Sequence, residues 1–224
     1  KISGDKLPYT ANIITNLTHD GYYTVSKTME DYAKSDQLLA EFFSEALGLA
    51  KLDIEAYIGP AFSPDSVVFV VFHAGLSQDF SYPSLDPTIY DLKSAYIDQK
   101  MMEGVSPTVI SGDPIMSGIL LPETQNIIYF DVAEDIFGNP DYGTDNLCDI
   151  QIGLTGIFAL NLGYELGLPP MFNTITGDPG VGYFGLMDHG SNNGRGVIPA
   201  PPSPWTRSSP DSPWSTIESI SPIQ

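Results

Sequence analysis

The chain has 224 residues, 42% of them hydrophobic, enough to form the core of one large domain. Its 9 basic residues stand against 28 acidic ones, giving a formal charge of −19 and a pI near 4.1. That excess argues against nucleic acid and anionic membrane as partners, since both would be repelled, and leaves cation binding, a basic partner or simple colloidal solubility.

Cys148 is alone, so no internal disulfide can form and cysteine pairing does not reveal the compartment. No secretory leader is read at Lys1, so the numbering is expected to begin at a processed or trimmed end. One acceptor sequon, Asn16-Leu17-Thr18, is compatible with a glycosylated surface.

In chain order, partial alternation around Tyr22, Thr24 and Ser26 predicts a strand. Ser35-Asp36 then offers an N-cap for a helix near Gln37 to Lys51, with Leu38, Leu39, Phe42, Phe43, Ala46, Leu47 and Leu49 at helical spacing. "LDIEAYIG" reads as a short strand ending at Gly59-Pro60. "DSVVFVVFHAG" carries the strongest strand signal, β-branched and aromatic without alternation, so Val67 to Phe72 is expected as an inner strand covered on both faces. The run is too short to cross a bilayer. Residues 76–117 are turn-rich, "GILLPETQNIIYFDV" gives a strand or loop and then a strand, and "EDIFGNPDYGTDNLCD" reads as an acidic, solvated loop. Six prolines between Pro199 and Pro213 predict extended chain laid on the surface.

The stretch from Ile152 to Leu168 is apolar almost all round, and a helix without a polar face belongs in the middle of a domain. We expect it from about Asp149 to Leu166. Asn161 and Glu165 within it argue against a membrane span. Gly153, Gly156 and Gly163 cost helix propensity, so each marks close approach by a neighbour. Gly167, followed by Leu168-Pro169-Pro170, stops the helix.

This stretch, "FALNLGYELGLPPMFNT" followed by "YFGLMDHGSNNG", resembles the active-site helix and Met-turn of the immune inhibitor A family of secreted zinc metallopeptidases, which are metzincin-like. Their pattern is H-E-x-x-H-x-x-G-x-x-D. "VVFHAG", "DPTIYDLKSAYID", "LPET" and "PAPPSPWT" are similar to further family segments, so the likeness spans Ser66 to Arg207. It implies an α/β (α+β) metzincin-like fold: a mixed twisted sheet within residues 1–150, then the helix, Met-turn and proline-rich segment within 151–224, all one domain. The turn glycine is present as Gly167 and the methionine as Met187. The two histidine positions hold Leu160 and Tyr164, the general-base position holds Asn161, and the third-ligand position holds Pro170.

Catalytic zinc needs three imidazole, thiolate or carboxylate donors, and leucine and proline supply none. Asparagine cannot take a proton from water. The expectation is a domain with neither zinc nor catalytic residues, in which Leu160, Tyr164, Pro170 and Met187 form an apolar plug. Asn161, polar on a buried helix, needs a hydrogen-bond partner. Of His19, His73 and His189, the second is read as a structural histidine ending a strand. His189, with Asp188, Tyr164 and Glu165, is the one set from which a replacement metal site could be rebuilt, although Glu165 projects about 100° from the old ligand face. Calcium has no sequence support: "GPAFSPD" supplies one carboxylate, and the acidic loop lacks fixed ligand spacing.

Three functions follow from the resemblance. One is a secreted or cell-surface, non-catalytic homologue that binds a protein partner or self-associates, up to a filament or surface array. Another is a peptidase with a rebuilt metal site. The third is a decoy that holds a protease or its substrate in the old cleft.

Overall fold

A computed structural model of the protein describes residues 10–16, 20–59, 62–63, 66–80, 90–125, 127–130, 133–134, 140–141, 147–150 and 152–208. The architecture is mixed, with four helices and a small mixed sheet among the described residues.

Residues 22–26 are irregular rather than a strand. Helix α1 (Met29–Ala33) follows, its first turn capped by Thr28, whose Oγ1 accepts from the Asp31 amide at 3.3 Å. Helix α2 (Asp36–Ile58) begins where its cap predicts, with Ser35 Oγ accepting from the Leu38 amide at 3.2 Å. It does not stop at Lys51. The segment read as a separate strand, "LDIEAYIG", is its last two turns, because Leu39, Phe43, Leu47, Ala50 and Ile54 continue one buried stripe. Burying each large apolar member of that stripe is worth about 1.5–3 kcal/mol. Ser44 anchors the helix sideways: its Oγ donates to the Ser106 carbonyl at 2.9 Å, and its carbonyl accepts from Thr108 Oγ1 at 2.6 Å.

The sheet has the order β1 (Val70–Leu76), β5 (Gly118–Thr124), β2 (Ala95–Ile97). β1 runs parallel to β5, pairing Val70 with Ile119 and Phe72 with Leu121, while β2 is antiparallel, pairing Tyr96 with Ile119. The inner strand is therefore β5, where Ile119, Leu120 and Leu121 are fully buried. Val67 to Phe72 is not the inner strand: β1 begins only at Val70, lies at an edge of the described sheet, and leaves Phe72 62% exposed. Short hairpins complete the described strands: β3 (Val109–Ile110) with β4 (Asp113–Pro114), β6 (Ile127–Phe130) with β9 (Leu147–Ile150), and β7 (Ala133–Glu134) with β8 (Pro140–Asp141).

Side-chain alternation splits the sheet between two helices. Leu120 and Ile97 join the α2 cluster, and Phe43 lies so close to Gly118 that a Cβ there would overlap its ring. Tyr96, on the other face, meets Tyr164 of helix α3 (Leu154–Glu165), ring centres 6.0 Å apart. α3 is shorter than expected because Asp149 belongs to β9. No helix among the described residues is long and apolar enough to cross a membrane. Residues 199–203 of the proline-rich segment have no regular secondary structure and lead into helix α4 (Pro204–Ser208); the segment's last residues lie outside the described ones.

Candidate functional site

α3 starts without a side-chain cap, since its N-cap residue is Gly153. A helix start leaves backbone donors without intrahelical partners, and here a loop supplies two acceptors. Gly153 N–H donates to the Arg195 carbonyl and Gly156 N–H to the Gly196 carbonyl, each at 2.8 Å. That approach explains the glycines. A Cβ at Gly153 would stand 2.8 Å from Val197 Cγ2, one at Gly156 would collide with the Ser191 carbonyl oxygen, and one at Gly163 would stand 2.5 Å from Met187 Sδ. All three expected close approaches are present.

The helix ends on Gly167 (φ 77°), whose left-handed conformation admits two closing bonds: Gly167 N–H to the Tyr164 carbonyl and Leu168 N–H to the Gly163 carbonyl, both 2.9 Å. The chain then returns beneath the helix. Met171 N–H donates to the Met187 carbonyl at 2.7 Å, and Leu168, Leu186 and Met187 are buried together against Ala159, Leu160, Tyr164 and Met171. Leu160 and Tyr164 are thus partly buried on one face, beside Met187, as the plug requires. Pro170 is not part of it. It is exposed, turned away by the bend that brings Met171 inward.

Asn161 is 4% exposed and finds its partner locally, Nδ2 donating to the Ile157 carbonyl at 2.9 Å. Tyr164 has its phenol pushed up to about 12, first by burial and then by the Asp188 carboxylate. Both effects keep the phenol protonated.

Asp188 was not legible as an organising residue. It is 2% exposed, and its Oδ2 accepts from the amides of Gly180, Val181 and Gly182 at 2.9, 2.7 and 2.8 Å, while Oδ1 accepts from the His189 amide at 2.7 Å. Burial pulls its carboxyl upward, but these donors outweigh that and hold it below the ordinary range. The pair of glycines six and eight residues before an aspartate was the available signal.

Tyr164, Asp188 and His189 of the supposed replacement site are neighbours, His189 Nε2 standing 4.0 Å from Asp188 Oδ1, but their polar atoms are engaged elsewhere. Asp188 is occupied by backbone amides, and His189 Nε2 pairs with the Gly177 carbonyl at 3.1 Å. Glu165 is engaged with the sheet, Oε1 accepting from Ser117 Oγ at 3.1 Å beside Tyr96. Among the described residues no three His, Cys, Asp or Glu side chains gather as metal ligands. Glu165 Oε2 is buried without a hydrogen-bond partner, and burial raises the carboxyl, an effect the Ser117 and Tyr96 hydroxyls offset only in part. Tyr96 is pushed up to about 12 by burial and the Glu165 charge.

His73 lies within β1, 4% exposed, with Nδ1 against the Ala74 carbonyl at 2.9 Å and Nε2 without a partner. Burial lowers its pKa, so it is neutral above the ordinary histidine range. His19, the acidic loop's side chains, Asp65, and Leu17 and Thr18 of the sequon lie outside the described residues. The proline-rich segment secures the Met187 turn. Leu186 N–H donates to the Pro201 carbonyl at 3.1 Å, Ala200 N–H to the Gly190 carbonyl at 2.8 Å, and Thr206 is fully buried.

Comparison with family models, with curated proteins and with solved structures finds no match to this chain.

Proposed function

We propose that this is a non-catalytic homologue of the immune inhibitor A-type metallopeptidases, a metzincin-like domain that acts outside the cell or at its surface by binding or assembling. The observation that carries the reading is the packing of Leu160 and Tyr164, one helical turn apart, against Met187. In the family that the sequence resembles, those two helix positions hold metal ligands and the methionine lies beneath them. Here the same neighbourhood is an apolar cluster beside an asparagine bonded to its own helix. The resemblance supplies the secreted setting, and the charge of −19 supports solubility there.

The test combines elemental analysis, peptide hydrolysis and particle size on the full chain. Purified in the presence of zinc, it should retain far less than one equivalent, show no chelator-sensitive cleavage, and sediment as more than a monomer. Stoichiometric zinc with chelator-sensitive cleavage would favour the rebuilt-site peptidase. A monomer that binds a protease or its substrate would favour the decoy.

A further inference from the structure

Around the Met187 turn, large apolar side chains stand in solvent: Tyr183 at 63%, Phe184 at 87%, Val197 at 55%, Ile198 at 73% and Trp205 at 58% exposed. The segments bearing them are tied together. Asn193 Nδ2 donates to the Tyr183 carbonyl at 3.0 Å, and the Asn193 carbonyl accepts from the Ile198 amide at 3.2 Å. Gly185, next to Phe184, lies against Ser203, which caps the short helix carrying Trp205. The three aromatics alone leave on the order of 400 Å² uncovered, taking about 150–250 Å² for each whole side chain. That is about half of one partner's share of a standard protein interface. Val197 and Ile198 extend it.

Charge decides what can cover this face. Residues 1–151 hold 23 acidic and 7 basic residues, whereas residues 152–208 hold 3 acidic and 2 basic, and one of those acids, Asp188, is buried. Nearly all the negative charge is on the part of the chain that does not bear the patch. A basic partner would be drawn to the acidic part. A second copy of this chain meeting it through residues 152–208 brings together matched apolar side chains on a segment that carries little charge of its own.

We infer that this rim is the self-association face, through which two copies pack isologously. The inference deepens the assembly reading above and rests on it. Repulsion between the acidic parts remains, so association should strengthen with added salt as the screening length shrinks.

Sedimentation velocity over a concentration series, in low and moderate salt, tests this with Phe184→Ser, Trp205→Ser and the control Leu52→Ser, an exposed α2 residue at 78%. Near-ultraviolet circular dichroism confirms that each variant is folded. Wild type and Leu52→Ser should associate alike, and each rim variant should weaken association on the order of tenfold or more. Association that survives both rim substitutions overturns this face and leaves assembly standing. A wild type that is monomeric throughout overturns both. Truncation after Ser208 should leave association unchanged. If it raises association, residues 209–224 cover the face in their own chain and the inference fails.

Discussion

Met187 lies against Gly163, so close that a single added carbon on the helix would stand 2.5 Å from the thioether sulfur. Met187 is fully buried, and the contact sets how near the turn can come to α3. In Gly163→Ala, overpacking should cost about 1–3 kcal/mol, while helix propensity returns up to about 1 kcal/mol. The expected outcome is a net loss of about 1–2 kcal/mol in denaturant unfolding. Met187→Ala alone should cost about 2–5 kcal/mol, but less in the Gly163→Ala background, because the new methyl occupies part of the vacated space. Strict additivity would show that the two residues do not share a contact.

The Asp188 carboxylate holds four backbone amides, and Asn cannot replace it, since its Nδ2 would face a donor. Asp188→Asn should destabilise by about 3 kcal/mol, given the strength of hydrogen bonds to charged groups. Because the folded carboxyl lies below its ordinary 3.8, its contribution is present above that value and lost as pH falls through the folded pKa. Acid unfolding followed by circular dichroism should therefore be steeper in wild type than in the variant.

The central helix and its glycines were legible because periodicity and propensity report local geometry. Gly153, Gly156 and Gly163 could be read as close approaches, since little else justifies three glycines in one helix. Boundaries and edges were less legible. Asp149 looks like a helix start, yet its strand pairing with Ile128 claims it, and the caps of α3 come from carbonyls 40 residues away. "LDIEAYIG" has strand-like composition, but Ile54 extends the α2 stripe, and tertiary burial wins over local preference. Val67 to Phe72 has the composition of an inner strand, and composition cannot say which side of a sheet remains open. The resemblance located Leu160, Tyr164 and Met187 together. It did not reveal that Pro170 turns outward or that Glu165 packs toward Ser117.

Under the proposed non-catalytic reading, introducing histidines at the two helix positions should not confer peptidase activity. Leu160→His with Tyr164→His would place two imidazoles on one face, but Asn161 is not a base and Pro170 is exposed and donor-free. Two ligands fall short of the three that catalytic zinc requires. In a quenched-fluorescence peptide assay with added zinc, the double variant should stay at background. Chelator-sensitive turnover by it would sink the claim that the base and third ligand are missing.

Glu165 titrates in the direction opposite to Asp188. Burial raises its folded carboxyl above the ordinary 4.5, so it favours folding most when protonated, and stability declines as pH rises from about 4.5 through the folded value. Glu165→Gln keeps an oxygen for Ser117 Oγ while removing the charge. The variant should melt higher than wild type near neutral pH, with the gain vanishing in acid. An equal gain at every pH would mean that the charge is not the cause.

Where the tail is cut decides what is lost. The Pro201 carbonyl accepts the Leu186 amide, one residue before Met187, and Pro202, Ser203 and Thr206 are buried. Thr206 N–H also bonds Ser203 Oγ at 3.1 Å, which caps α4 within this stretch. Truncation after Ala200 removes the Pro201 acceptor and uncovers the Met187 turn, and should cost about 2–4 kcal/mol, mostly as an unpaired backbone donor and lost burial. Truncation after Ser208 spares every one of those contacts and should leave a higher melting temperature than the cut after Ala200 does. Differential scanning calorimetry on the two truncations separates the cases, and limited proteolysis should find new cleavage near 180–190 only in the shorter one. Equal stability of the two would mean that the proline-rich segment does not secure the turn. In that case the deletion after Ala200 would become a clean probe of assembly; otherwise the cut must come after Ser208.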